Sequence, residues 1–286
     1  MAKLIIGVFV LLLGGCQQAD LKTSKYVGSE RAEVIVADRT KGSSLQVISH
    51  DPNFIKRGFG SVYNKRLPRP MTYSIVDDPT SSSPNRLVER FHITEADCDD
   101  EKHGDGPSLN NLSDCASGRS RQEIYTKNFM VDGLGTQKTK TFRYQFSMYL
   151  PSSENQNPKS GYFFQVKQHR SNRSVAPIAG TMSDRGYLLL AGNLLSDSWD
   201  TTFDRWHNIV VEIKFSSEAD GYLKLWYQGK LLEDRSGFRS IEDRKAINYA
   251  KYGLYYFPTN SVKRDSTEKF DMVAYFADVK IQEINN

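Results

Sequence analysis

The chain has 286 residues, 38% hydrophobic and 12% aromatic, a length that fits one large domain or two small ones and supplies enough apolar side chains for a core. The formal charge of +4, with a pI near 8.8, mildly favours an anionic partner but is too small to argue for nucleic acid. No arginine-rich run, zinc-finger spacing or recognition-helix pattern supports that class either.

Residues Met1 to Cys16 combine a positive Lys3, an apolar run from Leu4 to Leu13 too short for a mature membrane span, and Leu13-Gly14-Gly15 before Cys16. This resembles a bacterial lipoprotein signal. The resemblance implies removal of residues 1–15 and lipidation of Cys16. Gln17 in place of Asp then favours the outer membrane, so an exported lipoprotein on its periplasmic or cell-surface side is expected. An uncleaved anchor is the alternative. Residues 16–25 are polar and serve as a tether.

Beyond the tether the apolar stretches mostly alternate with polar residues instead of recurring at helical spacing, which predicts an all-β chain. Ala32 to Ala37 and Leu45 to Ile48 read as short strands. Asp51 to Met71 mixes Lys56, Arg57, Lys65, Arg66 and Arg69 with aromatics, glycines and prolines, and reads as a long irregular loop, either functional or a surface insertion. A turn-rich segment from Asp77 to Asn85 precedes a strand from Arg86 to Thr94. With Cys16 lipidated in an oxidising compartment, Cys98 and Cys115 are expected to form a disulfide, which would contribute about 3 kcal/mol. Between them Asp99, Asp100, His103 and Asp105 match no zinc or EF-hand spacing, so no metal or cofactor is expected and nothing indicates a structural calcium.

Gly118 to Tyr125, read as a strand, puts Arg119, Arg121, Glu123 and Tyr125 on one face, either as a solvated ion pair or as a subsite for a sugar acid. Thr141 to Leu150 is the next strand. In Gly161 to His169 one face carries Gln165, Lys167 and His169 and the other Phe164 and Val166, although His169 also suits a loop. Tyr187 to Leu195, Trp206 to Phe215 and Tyr222 to Leu232 continue as strands, the last two forming a hairpin. Trp206, Trp226, Ile209, Val211, Ile213, Leu223 and Leu225 read as core, His207 as structural, and Gln228-Gly229 as a tight turn before another short strand.

In Tyr249 to Phe257, Tyr249, Lys251, Gly253 and Tyr255 share a face, with Gly253 open to close approach by a ligand between the tyrosines. The strand faces a ligand or is an outer strand with solvated tyrosines. Pro258 to Lys269 is a polar loop and Phe270 to Ile284 a closing strand pair. No internal repeat or linker divides residues 26–286, which are read as one domain.

Three segments carry a family resemblance. Ser120-Arg121-Gln122-Glu123-Ile124, Gln165-Val166-Lys167-Gln168-His169 and Tyr249-Ala250-Lys251-Tyr252-Gly253-Leu254-Tyr255 resemble the arginine, glutamine–histidine and tyrosine–lysine–tyrosine strands of alginate-lyase-like polysaccharide lyases. The wider layout resembles the heparin-lyase-like and glucuronan-lyase-like families. The resemblance covers about Leu87 to Ile284. It implies a concanavalin-like β-jelly-roll sandwich of two antiparallel sheets whose concave sheet cleaves a uronic-acid-containing polysaccharide by β-elimination. It also implies catalytic roles for Arg121 and Gln165 on the uronate carboxylate, for Tyr255 as acid and possibly base, and for His169 or Lys167 as the other base. Cations such as Lys251 and Arg121 are expected to lower the Tyr255 pKa. Arg119, Glu123, Tyr249 and Lys251 are the substrate-binding candidates. One departure stands out: Lys167 occupies the position of the family histidine, and His169 comes two residues later. The expected partners are an acidic polysaccharide and, through the lipid, a membrane, with the chain acting as a monomer. A carbohydrate-binding lipoprotein without activity is the alternative. A glycoside hydrolase is a weaker one, since no Glu-x-Asp-x-x-Glu-like strand is present.

Overall fold

The computed structural model is described for residues 44–46, 59–63, 73–97, 114, 118–126, 131–132, 140–155, 157, 159–169, 174–240, 247–257 and 269–284. Alternating side chains build two antiparallel sheets. The first runs β14 (Lys230–Phe238), β13 (Gly221–Tyr227), β12 (Trp206–Phe215), β7 (Lys140–Tyr149), β16 (Asp271–Ile284), β4 (Leu87–Thr94) and β3 (Tyr73–Asp77). A short β1 (Ser44–Gln46) pairs with the C-terminal part of β16. The second runs β11 (Asn193–Ser196), β10 (Leu188–Leu190), β9 (Ser174–Met182), β8 (Gly161–His169), β15 (Ile247–Tyr256), β5 (Ser120–Thr126) and β2 (Phe59–Tyr63), with β6 (Val131–Asp132) on β15. One helical turn, α1 (Trp199–Thr202), precedes β12.

The sheets pack face to face as a β-jelly-roll sandwich. Inward side chains of β4, β7, β12 and β16 meet those of β8 and β15 in one core, where Phe146 of the first sheet lies 5.3 Å from Phe164 of the second and Phe91 lies 5.8 Å from Tyr252. Each fully buried aromatic or aliphatic side chain contributes on the order of 1.5–3 kcal/mol. A polar tie also crosses the core: the Tyr252 hydroxyl on β15 donates to Glu89 on β4 at 3.2 Å, and Tyr73 approaches the same carboxylate at 3.5 Å.

The β12–β13 hairpin and the Gln228-Gly229 turn form as expected, both turn residues having positive φ, 49° and 75°, as a two-residue turn requires. His207 is structural. Its Nε2–H donates to the Thr202 carbonyl at 2.7 Å, so its Nδ1 accepts from the Tyr227 hydroxyl at 2.8 Å. Burial pushes its pKa down to about 4.

Several expectations are corrected. Phe270 to Ile284 is no strand pair: Asp271–Ile284 is one strand with a bulge at Asp278 (φ 51°). The extra residue resets the alternation, so Phe276 and Ile281 both face the core. Tyr187 to Leu195 divides into β10 and β11 around Ala191-Gly192, where φ is again positive at both residues. Within the presumed loop from Asp51 to Met71, Phe59–Tyr63 is a strand paired with β5. Trp206 and Trp226 alternate out of phase with Ile209, Val211, Leu223 and Leu225 and lie on the opposite face. There Trp206 packs with Tyr149 against a second apolar cluster of Val88, Val273, Tyr275 and Ala277, and bonds Thr80. Strands β3 and β9 and helix α1 were not anticipated. Ala32 to Ala37, Cys16, Cys98 and Cys115 lie outside the described residues.

Candidate active site

Strands β5, β15 and β8 lie side by side in the second sheet. Their register sets Arg121 opposite Tyr255, Gln165 opposite Lys251, and Lys167 opposite Tyr249. All six side chains alternate with core residues such as Ile124, Val166 and Leu254, so they belong to the face turned away from the core. Phe163 is an extra residue between the Tyr162 and Phe164 pairings of β8 with β9. Both phenylalanines consequently face inward, and Tyr162 joins Gln165 on the outer face.

Glu123 is the centre of this cluster. Only 2% exposed, it accepts from Gln165 Nε2 at 2.8 Å and from Lys251 Nζ at 3.3 Å, and it lies 3.8 Å from Arg121 Nη1. Arg121 donates through Nη2 to the buried Asp114 at 2.5 Å, and its guanidinium lies over the Tyr255 ring at 4.2 Å. Tyr162 stacks on Phe257 at 4.5 Å and approaches Tyr255 at 5.7 Å.

The electrostatics follow from this burial. Desolvation alone would weaken the charge on Arg121, but Tyr255, Asp114 and Glu123 outweigh it and raise its pKa. Burial lowers the Lys251 pKa against the opposing pull of Glu123. Burial, with Lys251 next, pushes Lys167 down to about 8. Among the described residues Lys167 has no carboxylate in salt-bridge range; Glu123 acts on it only from a distance.

Tyr255 departs from expectation. Arg121 and Arg119 do pull its pKa down, but burial is the larger influence and the net change is upward. The low dielectric that strengthens the guanidinium's field also disfavours the phenolate.

The sequence candidates are thus mostly brought together. Arg119 precedes β5, partly buried, and its charge reaches Tyr255, Tyr162 and Lys167. The Tyr249 ring is 6.0 Å from Lys251 Nζ. Glu123 and Lys251 are buried partners of their neighbours, not a solvated surface pair. His169 closes β8, its backbone paired with Ile247 and Ser174. The His169 and Tyr125 side chains, and Arg57, Lys65 and Arg66, lie outside the described residues. Gly253 does not open the strand to a ligand: at φ 127° a Cβ there would meet the Gln122 carbonyl oxygen and, at 2.9 Å, the core ring of Phe91. Asp114 and Tyr162 were not anticipated, because one comes from outside any strand and the other is put on the outer face by a bulge. Among the described residues no three His, Cys, Asp or Glu side chains form a metal-binding group.

The sequence model of the family described as polysaccharide lyase matches residues 37–279. No match is found among curated proteins. Among solved structures, an endo-β-1,4-glucuronan lyase from the fungus Trichoderma reesei is similar at a TM-score of 0.49 and 13% identity, over 78% of this chain and 94% of that one. The alginate lyase vAL-1 from a Chlorella virus is similar at 0.46 and 12%, over 85% and 99%. With the family match spanning most of its length, the chain belongs to the polysaccharide lyase family.

Proposed function

We propose that the outer face of the second sheet cleaves a uronate-containing polysaccharide by β-elimination, with Arg121 and Gln165 on the carboxylate, Lys167 as base and Tyr255 as acid. The observation that carries this reading is the set of Arg121, Gln165 and Lys251 gathered around one buried carboxylate, with the Tyr255 ring against the Arg121 guanidinium and Lys167 on the same face with no acid in its salt-bridge range among the described residues.

The chemistry requires those types. The proton on C5 of a uronate is weakly acidic, and its removal places charge on the neighbouring carboxylate. Fixed donors stabilise that charge without having to reorganise. Arg121 keeps Nη1 beyond hydrogen-bond distance of Glu123, and the Gln165 amide, whose N–H groups are donors of the kind a carboxylate needs, is held in place by its bond to Glu123. An ordinary lysine titrates near about 10.4 and is almost wholly charged at neutral pH. With its pKa at about 8, Lys167 is neutral in roughly a tenth of molecules at pH 7. The upward shift of Tyr255 keeps its phenol protonated, which suits delivery of a proton to the departing O4.

Elimination leaves a conjugated double bond that absorbs in the ultraviolet, whereas a hydrolase yields reducing ends without it and a binding protein yields neither. Tyr255→Phe and Lys167→Ala should each lose this signal on a panel of uronate polymers while His169→Ala keeps it. Wild-type turnover by Tyr255→Phe would overturn the assignment, and loss in His169→Ala alone would transfer the base to that residue. We also propose lipidation at Cys16 and an outer-membrane location, supported by Leu13-Gly14-Gly15-Cys16. Radiolabelled palmitate should mark the wild type and not Cys16→Ala; equal labelling of both would refute it.

A further inference from the structure

The outer face of the second sheet is divided. Strands β5, β8 and β15 contribute Arg121, Glu123, Lys167 and Lys251, whereas β9, β10 and β11 contain no Asp, Glu, Lys or Arg at any position. The two halves are nevertheless continuous. Register pairs Tyr255 with Tyr162, Tyr162 with Thr181, Thr181 with Leu189, and Leu189 with Leu194. Their neighbours Leu188, Leu190 and Met182 face the core, so this row faces outward together with the catalytic candidates. At roughly 4.8 Å between strands, Leu189 stands about 14 Å from Tyr255 and Leu194 about 19 Å.

The apolar arm is exposed: Leu189 by 36%, Leu194 by 54% and Tyr187, two residues before Leu189, by 38%. A polymer crossing the strands from Tyr255 would leave the cations, pass the Tyr162–Phe257 stack and reach two adjacent leucines. A bare uronate there would lose water from its carboxylate without gaining a charged partner from β9, β10 or β11, which is unfavourable. A methyl group covering the leucines is favourable.

Resting on the elimination reading, the geometry points to a mixed polymer as substrate: the sugar bound over Leu189 and Leu194 is a neutral, methyl-bearing deoxyhexose unit joined to the uronate that is cleaved. Leu189 and Leu194 are then specificity determinants remote from the reacting atoms.

The test compares uronate–deoxyhexose oligosaccharides with all-uronate ones of equal length, using wild type and the double variant Leu189→Ser/Leu194→Ser. The mixed chain should show a KM about tenfold lower than the all-uronate chain in wild type. The double variant should erase that difference while leaving kcat unchanged. Equal KM values in wild type, or a preference that survives in the double variant, overturns the inference. So does tightening seen only on O-acetylated polyuronate, which would assign the methyl group to an ester. If no uronate polymer yields an unsaturated product, the elimination reading falls. Calorimetric titration of both proteins with the same oligosaccharides then still decides the arm: preferential binding of the mixed chain lost in the double variant supports it, and its absence refutes it.

Discussion

Glu123→Ala probes the centre of the site most directly. The substitution removes the acceptor of Gln165 and the countercharge of Lys251, whose side chains with Glu123 are almost wholly inaccessible to water. Breaking a buried pair by deleting one partner typically costs about 3–5 kcal/mol, because the surviving charge is stranded. Lys251 limits that cost by losing its proton, since burial already lowers its pKa and Glu123 is what opposes the shift. The expected loss is therefore near the lower end, about 3 kcal/mol at pH 7, or a fall in Tm of roughly 6–12 °C for a domain of this size. The sign of the pH dependence follows from linkage. In the variant Lys251 has a pKa depressed further below its unfolded value, so the unfolded chain binds more protons and stability rises with pH toward the ordinary lysine range. The deficit relative to wild type should shrink between pH 7 and pH 10, and Lys251→Met in the Glu123→Ala background should recover part of it. Urea unfolding at both pH values measures this. A deficit under about 1 kcal/mol that is the same at both would show that Glu123 is not the countercharge of Lys251.

Two further outcomes are expected. The kcat of the wild type should rise with pH through about 8 as Lys167 loses its proton, and should fall only above the ordinary tyrosine range as Tyr255 ionises; a flat profile from pH 6 to 9 would remove Lys167 as base. Gly253→Ala should destabilise by about 2 kcal/mol or more, because the added Cβ meets the Gln122 carbonyl and the Phe91 ring and the backbone is held at φ 127°. A denaturation midpoint equal to wild type would contradict the close approach.

Strand alternation carried much of the site. Counting by two places Arg121 with Glu123, Gln165 with Lys167, and Lys251 with Tyr255, and the structure keeps each pair on one face. The same counting failed where the backbone gains a residue. Phe163 brings Tyr162 onto the outer face, and Asp278 makes one strand look like two. A bulge has no composition of its own, so alternation in one sequence cannot reveal it. Trp206 and Trp226 read as core alongside Ile209 and Leu225, but their phase puts them on the other face. The sign of the Tyr255 shift was not legible for a different reason: neighbouring charges can be read from a strand, but depth of burial depends on everything packed around it.

The tie from Tyr252 to Glu89 bears on how freely this enzyme can be altered. A strand carrying a working residue every second position is vulnerable to slippage, since a shift of one would turn Tyr249, Lys251 and Tyr255 into the core. Such a shift would here also pull the Tyr252 phenol away from Glu89 and leave that carboxylate buried with one donor fewer, so the wrong alignment is penalised from behind the sheet. The proposed catalytic face and the anchor that fixes its alignment therefore lie on opposite sides of one strand. Residues on that proposed face can be exchanged while the anchor holds the strand in place.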